Sequence, residues 1–286
     1  MAKPNTTADD ITAEVLRRFE GAGDPRLRSI MLSLVQHLHG FIKDVQLTEA
    51  EWLAAIQFLT RTGQISDDKR QEFIMLSDTL GVTMLVDQIN HPKPEGATEN
   101  TIFGPFHRAG SPELPPGGNM APHDEDGMPA VVSGRVLNLR GQPIANALLD
   151  VWQADSKGLY DSQYPSSTEM NARARFRTDR DGKFLIRTVR PVHYSLPSDG
   201  PVGLMLRATN RHSWRPAHIH FQISAEGYES VTTHIFDSVD EYLESDTVFG
   251  VKESLIGKFQ EHHEKNELGI DPPFCTINVE FVLKPL

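Results

Sequence analysis

Two histidines that could act together stand at His218 and His220, in the segment RHSWRPAHIHFQIS. Side chains alternate between the two faces of a β-strand, so both imidazoles should lie on one face, with Ile219 and Phe221 on the other. Imidazole is the commonest metal ligand in proteins, and this spacing therefore indicates a candidate metal site. Exposed histidines are also frequent, so the pair alone leaves a plain surface interpretation open.

Any metal bound here must find its other ligands among oxygen donors. The single cysteine, Cys275, excludes thiolate-rich zinc sites and an intrachain disulfide framework. Tyr160 ends the stretch WQADSKGLY, and Tyr194 lies in VRPVHYSLPSDGPVG, where a predicted strand runs into a loop. A phenolate is a hard anion that suits Fe(III), so two phenolates and two neutral imidazoles would hold ferric iron. The alternative is that both are amphipathic tyrosines of a sheet surface.

Three helical patterns in the first hundred residues precede these candidate ligands. They span residues 27–45, 48–63 and 66–81. A capping box of Thr48 and Glu51 opens the second helix, and Ser66 is the predicted cap of the third. The apolar stripe from Leu27 to Ile42 is too extensive for three short helices to bury, so we expect another domain or a second chain to cover it.

From about Thr101 the sequence changes to an irregular Pro- and Gly-rich segment, followed by short apolar runs. These runs lie within residues 130–155, 175–191, 202–208, 217–236 and 275–285. The turn tetrapeptides RGQP and DRDG, within two of the runs, are typical of links between antiparallel strands. The pattern predicts an all-β core, an antiparallel β-sandwich, with a short helix over residues 251–266 on its edge.

The composition argues against some classes of function. The chain has 286 residues, 38% of them hydrophobic, and a formal net charge of −11. Nucleic-acid binding requires clustered Lys and Arg, so no nucleic-acid partner is expected. Neither a charged-then-apolar leader nor a run of about 18 apolar residues occurs, so we expect a cytoplasmic protein without a membrane span.

In this order, the motifs GLYD, VHYSLPSDGPVG and RPAHIHF resemble the iron site of the intradiol ring-cleavage dioxygenases, and the similarity runs through ENTIFGPFHRAG over nearly the whole chain. The resemblance implies one Fe(III) per chain, held by Tyr160, Tyr194, His218 and His220. It also implies that Tyr194 dissociates and takes a proton from the substrate, and that Arg215 lies beside the substrate ring. The alternative for Arg215 is an ion pair at the edge of the sandwich.

Within that family, TIFGPF, FIMLSDTLG, VTTHIF and SDTVFGVKESL are most similar to the hydroxyquinol branch. His234 stands where catechol-type members usually have glutamine. The resemblance implies cleavage of hydroxyquinol (1,2,4-trihydroxybenzene) by O2 between its two ortho hydroxyl-bearing carbons, giving 3-hydroxy-cis,cis-muconate, which tautomerises to maleylacetate. The alternatives are a catechol or chlorocatechol 1,2-dioxygenase, a zinc hydrolase, and a non-catalytic prealbumin-like β-sandwich module that binds a ligand.

The same resemblance implies a substrate pocket that Arg215 borders. Its other predicted members are Met75, Asp78, Ile102, Phe103, Gly104, Pro105, Phe106, Leu196, Pro197 and Val248. Asp78 is expected near the third substrate hydroxyl, because a buried carboxylate needs a polar partner. The alternative is a surface aspartate in the last turn of a helix.

Members of the family are homodimers joined through their N-terminal helices, with an amphipathic lipid in an apolar tunnel at the interface. The resemblance therefore implies a helical dimerisation domain over residues 1–100, possessing a bound phospholipid, and a β-sandwich catalytic domain with a non-haem iron site over residues 101–286. The apolar stripe of the first helix agrees with that role.

Overall fold

The computed structural model describes residues 7–67, 70–164, 170–265 and 269–286. Packing divides the chain into two compact units, Met1–Arg61 and Thr62–Leu286. The boundary at residue 61 comes from how densely the chain packs on each side of it. The predicted division at residue 100 separates dimerisation from catalysis, and it stays a prediction. None of the described helices has the length and apolar character needed to cross a membrane.

The first unit contains helices α1 (Ala8–Phe19) and α2 (Pro25–Val45) and most of α3 (Glu49–Ile65). The predicted capping box of α3 is confirmed. The Thr48 backbone N–H donates to Glu51 Oε2 at 2.9 Å, and the Glu51 N–H donates to Thr48 Oγ1 at 3.3 Å. These two bonds satisfy backbone donors that the first turn of a helix leaves without partners.

The second unit begins with α4 (Glu72–Thr79) and α5 (Val82–Asn90). The prediction that Ser66 caps this helical segment is wrong, because Ser66 Oγ donates to the Thr62 carbonyl at the end of α3. A tertiary contact instead holds the first turn of α4, where Glu72 Oε1 accepts from the Val202 N–H at 3.1 Å. The predicted helix also included Asp68 and Lys69, which lie outside the described residues.

Two sheets form the predicted β-sandwich. The strands are β1 (Pro129–Asn138), β2 (Leu148–Trp152), β3 (Arg173–Arg177), β4 (Lys183–Val189), β5 (Tyr194–Ser195), β6 (Trp214–Arg215), β7 (His218–Ser224), β8 (Val231–Asp237), β9 (Ile256–Gly257), β10 (Gln260–His262) and β11 (Phe274–Leu283). One sheet has the order β10-β11-β1-β4 and the other β3-β2-β7-β8-β9, while β5 and β6 form a separate two-stranded ribbon. Neighbouring strands are antiparallel except for β1–β11 and β8–β9, which are parallel.

Two local predictions are wrong. Residues 202–208 belong to a helix, α6 (Pro201–Ala208), rather than a strand. Val202 and Leu206 are buried at the i, i+4 spacing of a helix, and Pro201 begins the first turn, where its missing N–H costs nothing. Residues 251–262 form a single 3₁₀ turn (Glu253–Leu255) followed by β9 and β10 instead of the predicted helix, since β8 and β11 provide pairing edges. The predicted helix ended at Asn266, outside the described residues.

Alternation along β7 separates the core from the candidate site. Ile219, Phe221 and Ile223 belong to the apolar core between the two sheets. His218 and His220 therefore lie on the other face of the five-stranded sheet, as predicted from their spacing. The irregular segment before the sandwich covers this face, and its Thr101 N–H donates to the Thr232 carbonyl at 2.9 Å.

Candidate metal centre and substrate cavity

The two imidazoles of β7 meet at their Nε2 atoms. His218 Nε2 lies 3.2 Å from His220 Nε2, and both side chains are buried. His218 Nδ1 donates to the Pro216 carbonyl at 2.6 Å, so its Nε2 carries the lone pair. Burial, aided by the Arg215 charge, lowers the pKa of both histidines well below the ordinary range. Both are therefore neutral near pH 7, which is the form that binds metals.

A tight turn after β2 delivers Tyr160 to these imidazoles. Asp155 Oδ1 accepts from the Leu159 N–H at 3.0 Å, and Gly158 adopts a positive φ of 76°. A Cβ at Gly158 would lie 3.2 Å from the Cβ of Tyr194, so the turn also brings the two tyrosines together. The Tyr160 hydroxyl lies 3.0 Å from His220 Nε2.

A buried ion pair holds the backbone beside Tyr160. Arg173 Nε donates to Asp161 Oδ2 at 2.8 Å, and a second donor of the guanidinium bonds the other carboxylate oxygen. The same guanidinium donates to the Phe106 carbonyl at 3.1 Å, while the Phe106 ring stacks on Tyr160 with centroids 4.4 Å apart. Arg173 and Asp161 were not predicted as site residues, although Asp161 ends the motif GLYD.

The β5–β6 ribbon places Tyr194 opposite Arg215. Arg215 Nη1 donates to the Tyr194 hydroxyl at 3.3 Å and lies 3.2 Å from His218 Nε2. The rings of Tyr160 and Tyr194 meet edge to face, with centroids 5.4 Å apart. The structure thus brings all four predicted metal ligands and Arg215 into one buried cluster.

Asp246 is the counter-ion of Arg215, and sequence reasoning missed it. Its Oδ1 accepts from Arg215 Nε at 3.2 Å, and both side chains are almost fully buried. Burial alone would lower the pKa of Arg215, but the charges of Asp246 and the tyrosines outweigh it and raise that pKa. Arg215 is thus ion-paired with Asp246 at its Nε, in a buried position rather than at the edge of the sandwich, and directed at the candidate ligand cluster at its Nη1. Its place beside the substrate ring stays a prediction.

The donor set fits a highly charged cation such as Fe(III). Burial, together with Tyr194, raises the pKa of Tyr160 well above its ordinary value, so a phenolate there requires a strong positive charge beside it. The contacts of 3.0 and 3.2 Å at His220 Nε2 are close to the spacing of neighbouring ligands around a metal with bonds of about 2.0–2.1 Å. Two neutral nitrogens and two phenol oxygens, without a thiolate, are the chemistry expected for ferric iron.

A third imidazole, His234, adjoins the pair. It lies opposite His220 in the β7–β8 register and is fully buried. The potential ligand atoms of His218, His220 and His234 all lie within 4.8 Å of one another. Burial, followed by the neighbouring imidazoles, lowers the pKa of His234 well below its ordinary value. The sequence singled out this residue only as a departure from the catechol pattern.

A cavity of about 210 Å³ adjoins this cluster, and six of the predicted pocket residues line it. They are Met75, Asp78, Pro105, Phe106, Leu196 and Pro197. Phe106 connects the cavity with the cluster, because its ring also stacks on Tyr160. Arg70, Gln71, Glu72 and Gln163 line the same cavity and were not predicted.

Asp78 is buried rather than on the surface, and burial raises its pKa. Its Oδ1 accepts from Thr83 Oγ1 at 2.5 Å. The polar partner that burial requires is therefore already present on one oxygen, while Oδ2 accepts no hydrogen bond from any described residue. The positive charge of Arg215 acts on this pKa in the opposite direction to burial.

The other five predicted pocket residues, Arg215 among them, lie outside the lining of this cavity. Gly104 faces His220, since a Cβ there would lie 3.3 Å from His220 Cε1. Phe103 is partly exposed and contacts the Trp152 ring at a centroid distance of 5.5 Å. Ile102 and Val248 are buried. Their role as substrate contacts stays a prediction.

Comparison with protein families gives two matches that together cover most of the chain. The family model described as Dioxygenase matches residues 103–285, and the one described as Catechol dioxygenase N terminus matches residues 24–98. The first of these contains all four predicted metal ligands.

Characterised relatives resemble the chain over nearly its full length. The 6-chlorohydroxyquinol 1,2-dioxygenase of Cupriavidus pinatubonensis is 50% identical, over 87% of this chain and 90% of the relative. The hydroxyquinol 1,2-dioxygenase of a Rhizobium species is 47% identical, over 94% of this chain and 92% of the relative.

Solved structures of two dioxygenases also resemble this chain over nearly its full length. The hydroxyquinol 1,2-dioxygenase of Pseudomonas putida superimposes with a TM-score of 0.92 at 50% identity, covering 98% of this chain and 99% of that one. The catechol 1,2-dioxygenase of Pseudomonas arvilla gives a TM-score of 0.85 at 29% identity, covering 99% of this chain and 94% of that one.

Proposed function

This chain belongs to the intradiol ring-cleavage dioxygenases, and we propose that it is the enzyme that cleaves hydroxyquinol between its two adjacent hydroxyl-bearing carbons. The reaction adds both atoms of O2 to the ring and gives 3-hydroxy-cis,cis-muconate, which tautomerises to maleylacetate. The observation that carries the proposal is the buried cluster of two phenols and two neutral imidazoles beside a cavity that a carboxylate lines.

In the proposed site, Tyr160, Tyr194, His218 and His220 hold one Fe(III) per chain. Bound Fe(III) would supply Lewis acidity and draw electron density from a chelated diol, which opens its ring to attack by O2. His218 and His220 are kept neutral by burial and need lose no proton to act as ligands. A tyrosine ligand must be deprotonated, so metal binding at Tyr160 releases a proton.

Two residues act on the substrate itself. A diol that binds as a dianion must lose two protons, and we propose that the Tyr194 oxygen would accept one of them and a hydroxide ion from solvent the other. Arg215 Nη1, 3.3 Å from that oxygen, can stabilise negative charge as it develops. The Asp246 pair holds the guanidinium in place, so the cation is positioned before substrate arrives.

The preference for hydroxyquinol over catechol and chlorocatechols is assigned to the cavity. Asp78 provides a carboxylate oxygen without a hydrogen-bond partner among the described residues, and the third substrate hydroxyl could donate to it. The apolar side chains of Met75, Phe106 and Leu196 would enclose the ring. Relatives named for hydroxyquinol and 6-chlorohydroxyquinol, at 47% and 50% identity, support this choice over the catechol alternative. The prealbumin-like module and zinc hydrolase alternatives do not account for the paired tyrosines.

Replacing Tyr160 by phenylalanine tests the ligand assignment. The variant should lose the visible absorption that a phenolate gives with Fe(III), and should lose hydroxyquinol-dependent oxygen uptake with it. Tyr164→Phe is a matched control, because the Tyr164 hydroxyl donates to Asp155 rather than to the candidate ligands, and the variant should keep both signals. If Tyr160→Phe kept its colour and its oxygen uptake, the ligand assignment would be wrong.

Assembly and location belong to the same proposal. We assign residues 1–100 to dimerisation and residues 101–286 to catalysis, with a phospholipid at the dimer interface. The support is the apolar stripe of α2, whose members remain at least 37% exposed at Leu27, Ile30, Leu34, Leu38 and Ile42. A cytoplasmic location is also proposed, and the single cysteine, which is buried and free, suits a reducing compartment.

A further inference from the structure

The two candidate histidine ligands differ in how their rings are held. His218 donates its Nδ1 proton to the Pro216 carbonyl, which determines both tautomer and ring orientation. His220 Nδ1 is buried and has no hydrogen-bond partner in the part of the chain that the structure describes. Histidine ligands almost always have such a partner, and losing it typically reduces metal affinity or activity about 10- to 100-fold. Something else must therefore determine the orientation of His220.

Close neighbours surround the His220 ring on three sides, two of them aromatic rings. Trp152 stacks on one face, with an interplanar angle of 13° and centroids 4.7 Å apart. His234 meets the imidazole nearly perpendicularly, at 82°, with centroids only 4.1 Å apart. Gly104 closes the Cε1 edge, where a Cβ would lie 3.3 Å away. Trp152 and His234 both lie directly opposite His220 in the sheet, on β2 and β8.

We propose that His234 and Trp152 are positioning residues for His220. Packing of their rings determines the orientation of the His220 imidazole, as the hydrogen bond to the Pro216 carbonyl determines that of His218. The inference rests on the proposed function, since it takes His220 to be a metal ligand. It gives a role to His234, the residue that departs from the catechol pattern.

Two other roles for His234 compete with packing. It could be a third metal ligand, because its ring lies close enough to the other two imidazoles, or it could act through a hydrogen bond. However, neither ring nitrogen forms a well-aligned hydrogen bond with a described residue, although the Ile102 backbone approaches the ring. Burying an imidazole without hydrogen bonds costs free energy of folding, so its nitrogens do not explain why a histidine stands here. The packing of its ring explains this best.

Substitutions that keep or remove the ring distinguish these roles. His234→Phe keeps an aromatic ring without nitrogens, whereas His234→Ala and His234→Val remove it. Trp152→Phe and Trp152→Leu make the same comparison on the other face. Trp152 Nε1 has no hydrogen-bond partner among the described residues, so phenylalanine loses no polar contact there. The measurements are the rate of iron loss to a chelator and the position of the visible charge-transfer band, each with resting enzyme.

We expect iron loss to accelerate about 10-fold or more in the ring-less variants, with a shifted band. His234→Phe and Trp152→Phe should stay within about threefold of the wild type. Ile235→Val is the matched control, since Ile235 lies on β8 but belongs to the core face, and its loss of a methylene should leave both readouts unchanged.

Two results would overturn the inference. If His234→Phe lost iron as fast as His234→Ala, a ring nitrogen would be required and packing would be excluded. If every ring-less variant that folds kept wild-type retention and band position, neither residue would position the ligand. His234→Val carries the comparison if His234→Ala does not fold, because a β-branched residue suits the strand. A wild-type protein that binds no iron would instead contradict the proposed function.

Discussion

Replacing Asp78 should separate hydroxyquinol from catechol as substrates. Asp78 lines the cavity, and one of its oxygens accepts from Thr83, while the other accepts no hydrogen bond from the part of the chain that the structure describes. In Asp78→Ala the third hydroxyl of hydroxyquinol would lose its hydration on binding without gaining a partner. Catechol has no hydroxyl at that position, so it would lose nothing.

The size of the effect follows from the kind of bond that is removed. A hydrogen bond to a charged group contributes about 1.5–3 kcal/mol, which corresponds to about 10- to 150-fold in kcat/KM. Thr83 would not be left without a partner, because its Oγ1 also lies 2.8 Å from Ser77 Oγ. Removing the Asp78 charge also changes the field at Arg215, but this change affects both substrates and cancels in their ratio.

Parallel oxygen-uptake assays with hydroxyquinol and catechol measure that ratio. Asp78→Ala should lower kcat/KM for hydroxyquinol about 10- to 150-fold relative to catechol, and Asp78→Asn should fall between it and the wild type. Met75→Leu, in the same cavity, is the control, because a volume-conserving apolar change should affect both substrates alike.

Equal losses on both substrates would refute the assignment of Asp78 to the third hydroxyl. A wild-type protein that cleaves catechol faster than hydroxyquinol would refute the preference itself, and the proposed iron site would be unaffected by that result.

Two further predictions concern stability and assembly. Because burial lowers the pKa values of His218, His220 and His234, the unfolded state of the metal-free protein binds more protons than the native state below about pH 6.5. Stability in urea should therefore fall as pH decreases, by up to about 1.4 kcal/mol per pH unit for each histidine, and His234→Phe should fall less steeply; an unchanged slope would contradict the burial argument. Native mass measurement should give two chains, and organic extraction should release a lipid, whereas a monomer at micromolar concentration would contradict the proposed dimer.

Short-range rules were sufficient for much of the candidate site. The alternation of a strand placed His218 and His220 on one face, and a glycine turn brought Tyr160 to the end of β2. The sandwich followed from closely spaced apolar runs and their turns. The grouping of the four candidate ligands came from the resemblance of their surrounding motifs, since spacing along the chain does not determine which strands become neighbours.

Partners that are distant in the sequence could not be predicted. Asp246 pairs with Arg215 across 31 residues, and Glu72 caps α6 at Val202 across 130 residues. In the sequence, neither carboxylate can be told from one that is exposed to solvent, and only the fold buries it. The same cause explains the error at residues 251–262, where pairing with β8 and β11 overrides a local helix signal. At Ser66 the competing contact is local, because its hydroxyl donates to the Thr62 carbonyl.

The alternation along β7 has a consequence for how this strand can change. Because core residues and candidate ligand residues alternate, inserting or deleting a single residue upstream within the strand would exchange the two faces. The imidazoles would enter the apolar core, and Ile219 or Phe221 would lie on the face of the candidate metal site. Such a shift would therefore remove the core packing and the candidate metal site at the same time. Residues of this strand can therefore be substituted, whereas insertions and deletions within it cannot be accepted. The packing of the sandwich thus constrains the spacing of the two candidate histidine ligands.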